Sequence, residues 1–390
     1  MKRYIIISIL LLAVAMAGFS DSEELDIYTY LYDGAGTVTD QLGILQSVAE
    51  LGISGAGDFY SKALTRLTRE YPNIRDSIEK ESADNALILL AQRLGEEKYT
   101  AAAGDLWRAV GAFSNPLVKA EALMALGKMR ATAFLPQVIQ TLSDLNTRPA
   151  ADRLAGERIA FGAIIALEKY QDVSGYLPVF FASTGWYSER IKQQAGASLP
   201  VILADPSEPL SSVIRGSGYP YATKLLALQT IEASNVSNDS KAAIAVTALT
   251  EGWRASTNDV RLQMNLASMR KQAINMIRRY GTGDAAVYPL LERSYKEGVD
   301  AEERLNAVAT LSSLGTEDAA RLLSSFLMII NGKLQSGTLT QVDEQMVRAI
   351  IPALGATGQA VARPALRSVQ ALDWTNAVKN LATEALRNIQ

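Results

Sequence analysis

The chain has 390 residues, of which 48 % are hydrophobic and 20 % charged, with a formal net charge of −3. That balance gives ample apolar surface for a packed core. A mildly acidic chain without a basic run lacks the Lys/Arg stripe that nucleic acid or anionic lipid requires. It contains no cysteine and no histidine, which removes disulfides, thiolate nucleophiles, the commonest metal ligand and the usual base of a catalytic triad.

The amino terminus opens with Met1-Lys2-Arg3, followed by an apolar run from Tyr4 to Ala17 that ends on small residues at Ala15 and Ala17. This layout predicts a signal peptide over residues 1–17, cleaved before Gly18, and the run is short of the roughly 20 residues a spanning helix needs. Retention of the run as an anchor is the alternative. The chain is therefore expected to be exported, periplasmic or extracellular, with no stable membrane insertion once the signal is removed.

Residues 18–57 contain "DGAGTV" and "GISGAG" and predict a flexible lead-in with one short helix, about "DQLGILQSVAEL". From residue 58 the pattern is helical nearly throughout. In "NPLVKAEALMALGKM", Val118, Ala122, Ala125, Leu126 and Met129 fall on one helical face. Asn115 supplies an N-cap, Pro116 a first-turn proline, and Gly127 lies where helices commonly stop. Similar helices end at Gly95, Gly281, Gly315 and Gly355, and looser copies lie near 158–170, 190–200 and 223–234. Each follows another apolar helix, such as "FLPQVIQTLSDL" or "AAIAVTALTEGW", across a short polar link. Such αα-hairpins cannot cover their own apolar faces and must stack. Two stretches break the pattern: 204–221, with Pro206, Pro209 and Pro220, and 331–343, which predicts a lengthened link.

Four segments, "NPLVKAEALMALG", "NDVRLQMNLASM", "DAEERLNAVATLSSLG" and "DEQMVRAIIPALG", resemble the second helix of HEAT repeats, an armadillo-like family. Asn115, Asp259, Asp300 and Asp343 match the family's acidic or amide start. Val118-Lys119, Val260-Arg261 and Val347-Arg348 match its Val-Arg step. The resemblance covers about four units and fades before residue 80. It implies an all-α fold, a right-handed α-α superhelix (α-solenoid) of eight to nine HEAT-like hairpins over 58–390, with the second helices lining a concave surface.

The remaining motifs carry little chemistry. "GISGAG" lacks the Gly-Lys-Ser/Thr of a phosphate loop, and Ser77 with Lys80 lacks the companion motifs of a serine acyl-enzyme. Carboxylates stay open, so a carboxylate-only hydrolase acting on envelope polysaccharide is the alternative function; Glu302 and Glu303, however, sit at a helix start that suits acidic side chains. Trp186, Tyr187, Tyr219 and Tyr221, with Arg215 near the latter pair, fall in inter-helix segments. They are the candidate partner-binding residues, because aromatics on loops give large contact area for few rotatable bonds; filling gaps between hairpins is the competing role. Trp107 and Trp253 are expected in the core. Lys119, Arg261 and Arg348 are expected to tie neighbouring repeats. The function expected is a non-enzymatic interaction scaffold for a protein or peptide, with no catalytic residue, cofactor or metal and no nucleic acid partner.

Overall fold

The computed structural model describes residues 21–255 and 257–389, so the expected signal peptide lies outside the described residues. All regular structure among them is helical: twenty α-helices and five short 3-10 turns, with no strand. Two units are distinguished, one ending at Leu203 and one beginning at Ala204, where the proline-rich stretch starts.

In the first unit α1 (Asp21–Gly34) pairs with α2 (Val38–Leu51), and α3 (Gly57–Glu70) with α4 (Ser77–Glu96). Next come α5 (Ala103–Ala112) with α6 (Pro116–Met129), α7 (Leu135–Thr147) with α8 (Arg153–Tyr170), and α9 (Tyr176–Thr184) with α10 (Glu189–Ile202). The even-numbered helices pack on one another in succession, and α3 with α5 and α7 with α9 form a second row. The second unit repeats the plan. Its pairs are α11 (Ser207–Arg215) with α12 (Tyr221–Ala233), α13 (Asn238–Arg254) with α14 (Val260–Tyr280), and α15 (Val287–Glu297) with α16 (Ala301–Leu314). They are followed by α17 (Glu317–Gln335) with α18 (Gln341–Thr357) and α19 (Arg363–Ala371) with α20 (Asn376–Asn388). Nine of these ten pairs fall from residue 57 onward, within the eight to nine expected there, and the pair α1–α2 precedes them.

Helix α1 is additional, in the stretch expected as a flexible lead-in. Asp21, Glu23 and Glu24 occupy its first turn, where the helix dipole favours them. Tyr28 and Tyr32, four residues apart, are buried together, and Tyr32 meets Phe59 of α3 edge to face at 5.7 Å. The expected link at 331–343 is also shorter than its composition suggests. Helix α17 continues to Gln335, because Asn331 is buried with its side chain bonded to Ser368 and Trp374.

Side chains write the helix starts. Asn115 accepts from the amide of Leu117 at 2.9 Å, Asp259 from that of Leu262 at 2.9 Å, and Asp300 from that of Glu303 at 2.8 Å. Asp343 differs. Thr340 is the N-cap of α18, and Asp343, three residues on, completes a capping box.

The recurring glycines divide into two kinds. Gly281 and Gly315 follow their helices with φ of 75° and 63°, as expected of helix ends. Gly95, Gly127 and Gly355 instead lie inside α4, α6 and α18. There they let neighbouring backbones approach. A Cβ on Gly95 would stand 2.9 Å from the Cα of Ala125, and one on Gly355 2.7 Å from the Cα of Ala385. One on Gly127 would penetrate the backbone of Ala166, and one on Gly162 would stand 2.6 Å from the Cα of Ala120, so α6 and α8 meet at two such points. Here sequence reading took a packing residue for a terminator.

Left-handed residues close several of the even helices at one recurring place, while α10, α12 and α20 end on extended residues. Lys98, Arg130 and Gln171 have φ of 52°, 51° and 54°, each four residues after a buried leucine (Leu94, Leu126, Leu167). Gly315 and Gly358 stand in the same relation to Leu311 and Leu354. Replacing Lys98 by glycine is therefore expected to stabilise the fold by about 0.5–1 kcal/mol, since only glycine adopts this conformation without a Cβ penalty. Urea denaturation checks it, and a loss of stability would contradict the assignment. Several bonds between hairpins share one spacing: Arg130 to Gln171, Trp186 to the carbonyl of Leu145, Trp253 to Ser294, and Ser312 to the carbonyl of Ala353 each span 41 residues.

Candidate functional site

Trp186 and Tyr187 lie on the link between α9 and α10, stacked with ring centroids 4.2 Å apart. Tyr187 is only 2 % exposed, and its hydroxyl donates to Asn146 Oδ1 at 3.0 Å. Burial pushes its pKa up. Trp186 is half-buried, its Nε1 donates to the carbonyl of Leu145 at 2.7 Å, and the Arg153 guanidinium lies 5.4 Å from its ring centroid. This pair therefore pins the α9–α10 link to α7 and α8, leaving part of the indole accessible.

Arg215, Tyr219 and Tyr221 belong to the second unit. Tyr219 packs its ring on Gly216, where a Cβ would stand 2.8 Å from Tyr219 Cδ2. Tyr221 opens α12, with the ammonium of buried Lys224 at 5.0 Å from its ring. Lys224 also faces Glu251 at 3.6 Å, and Glu251 accepts from Arg254 at 2.7 Å. Arg215 is exposed at the end of α11 and reaches Glu208 at 3.2 Å.

Of these three, Arg215 alone lines an open groove of about 760 Å³. Helix α13 lines it through Ala243, Val246 and Thr247, and Tyr280 and Asp284 line it from the end of α14 and the segment after it. Tyr280 was hidden in the sequence because "RRYG" reads as an ordinary helix end. Two of the three carboxylates of this groove are engaged structurally, and the third sits where a helix dipole favours it. Asp284 accepts from the amide of Ala286 at 2.9 Å, Glu251 holds two cations, and Asp239 sits in the first turn of α13. No group of three or more acidic residues able to hold a metal occurs among the described residues, and no described helix is long and apolar enough to cross a membrane.

A second groove, of about 370 Å³, runs over α6, α8 and the start of α10. Leu117, Met124, Leu154 and Phe161 make its apolar lining, with Glu121, Glu157, Arg158 and Arg190 among them. Sequence reading missed it because one exposed leucine per helix is ordinary. Glu121 is half-buried there, and burial raises its carboxyl pKa against the opposing pull of Gln92 and Lys128. A raised folded pKa means stability that is present below the unfolded glutamate range near 4.3 and lost as pH rises through the folded value. Glu121→Gln is thus expected to raise Tm at pH 7 and to leave it unchanged near pH 3.5. A Tm difference that grows on acidification would contradict this.

Lys119, Arg261 and Arg348 form no ion pair among the described residues; neighbouring hairpins are tied instead by Arg130, Arg270 and Lys271. No protein-family model matches the chain, and no curated protein matches it.

Proposed function

We propose that the chain is an exported, non-enzymatic scaffold that binds a protein or peptide on the curved surface of a right-handed, HEAT-like α-α superhelix. The observation that carries this reading is the succession of hairpins in each unit, which leaves shallow open grooves along the helix faces. Stacked units of this kind present long surfaces, and binding along them uses many modest contacts. In the second unit Arg215, Thr247 and Tyr280 offer hydrogen-bonding groups beside a lining of small side chains that a polypeptide backbone can approach closely. Export rests on the basic start and apolar run of residues 1–17.

A photo-crosslinking amino acid at the exposed position Ala243 tests the reading in cells. Covalent adducts with a protein or peptide, lost on Arg215→Glu, are the expected result. Adducts with glycan only, together with polysaccharide cleavage abolished by Asp239→Asn or Asp284→Asn, would establish the hydrolase in its place. Mass spectrometry of the mature chain is expected to find Gly18 at the amino terminus.

A further inference from the structure

We infer that the exposed edge of α4, α6 and α8 docks an acidic, apolar segment of a partner polypeptide. This rests on the scaffold reading and names the partner's chemistry and a different surface from the Arg215 groove. The key residues are Ile78, Leu117 and Leu154, exposed by 68, 43 and 58 %. Each is the second residue of its helix, after the caps Asp76, Asn115 and Asp152. Equal placement on successive parallel helices sets them in a row across the face. Helices in contact lie about 8–10 Å apart, so the row steps by about that distance. At the same position α2 carries Thr39 and α10 carries Arg190, so the apolar row is bounded on both sides by polar residues. Beside it the groove deepens onto half-buried Met124 and Phe161.

The charge around this strip selects the occupant. Glu157 is engaged, with its two oxygens accepting from the amide and the hydroxyl of Ser188 at 2.8 Å each. Glu121 is half-buried and its carboxylate is engaged by the side chain of Gln92, with Lys128 nearby. Arg158 and Arg190 are exposed and line the groove, with no ion pair or hydrogen bond to another described residue. The available charge is therefore cationic although the chain as a whole is acidic. Guanidinium groups without an ion-pair partner favour carboxylates, which they take in bidentate fashion. A polyproline-II segment rises about 3.1 Å per residue, so side chains three residues apart match the step of the row. The occupant is an extended segment with an apolar residue at every third position and Asp or Glu between them.

Panning a library of displayed random peptides of about ten residues on the whole chain tests this. The expected consensus is apolar at every third position with acidic residues between. Binding of the enriched peptides should fall about tenfold or more on Leu117→Asp with Leu154→Asp, and similarly on Arg158→Glu with Arg190→Glu, at unchanged helical circular dichroism. All four residues are at the surface, so neither pair threatens folding. No enrichment, a basic or uncharged consensus, or peptides indifferent to both pairs would overturn the inference. Enriched peptides lost only on Arg215→Glu would overturn it and leave the scaffold reading standing. A dimer in light scattering that Leu117→Asp with Leu154→Asp dissociates would make the strip a self-association face and overturn it too.

Discussion

Gly127→Ala is expected to cost the first unit about 2–3 kcal/mol, although alanine is the better helix former by up to ~1 kcal/mol. Gly127 lies within α6, and its missing Cβ is where the Cα, carbonyl carbon and oxygen of Ala166 stand. A backbone cannot rotate aside as a side chain can, so α6 and α8 would have to separate. Separation would also loosen the second close approach, Gly162 on Ala120, and the buried side chains between them. Gly196 in α10 and Gly332 in α17 supply the control, because a Cβ there meets nothing within 4 Å. Alanine at either should stabilise by about 0.5–1 kcal/mol. Urea titrations followed by circular dichroism on the three variants read the sign directly. Gain of stability at position 127 would mean that the helices are further apart than described.

The second large effect is expected in the other unit. Glu303 is 0 % exposed and accepts from Arg270 through both oxygens, at 2.6 and 3.0 Å, and from the amide of Val299 at 3.2 Å. Arg270 also donates to the carbonyl of Gly252 at 3.1 Å and lies 4.0 Å from the centroid of the Trp253 ring. Arg293 stands 4.5 Å from the same centroid. Gly252 is needed here, since a Cβ would stand 2.6 Å from the Arg270 Cγ. The cluster joins α13, α14 and α16. Arg270→Ala leaves a buried carboxylate without its partner and is expected to cost about 3–5 kcal/mol. Replacing the pair together, Arg270→Met with Glu303→Leu, removes both charges and should recover much of that loss, because most of it is the uncompensated charge and not the absent attraction. A double variant as unstable as Arg270→Ala alone would refute this account.

The helical plan was legible because caps and apolar periodicity are local signals. Asn115, Asp259 and Asp300 announce their helices within four residues, and Asp343 announces one through its partner Thr340. Other features depend on residues some 30–45 positions away, and no single helix carries them. Gly127 reads as a terminator until Ala166 is brought beside it. Arg270 reads as part of a solvated basic helix face until Glu303 and Trp253 enclose it, and Glu303 reads as a first-turn surface acid. Val260, matched by sequence to Val118 and Val347, is exposed while those two are buried. It is the first residue of its helix and Val118 the third, so the resemblance aligns letters at different turns. Trp186 and Tyr187 were singled out as loop aromatics, a role composition suggests, whereas the bonds to Leu145 and Asn146 depend on α7 lying alongside. The row Ile78, Leu117 and Leu154 emerges only when three helix starts are laid level.

The similar span of about 30–45 residues between bonded hairpins has a kinetic consequence. Closing a loop costs entropy that grows only with the logarithm of its length, so every added hairpin within a unit meets nearly the same barrier as the one before. Assembly then advances by docking onto what is already formed, at a speed set by one hairpin and not by the total number of residues.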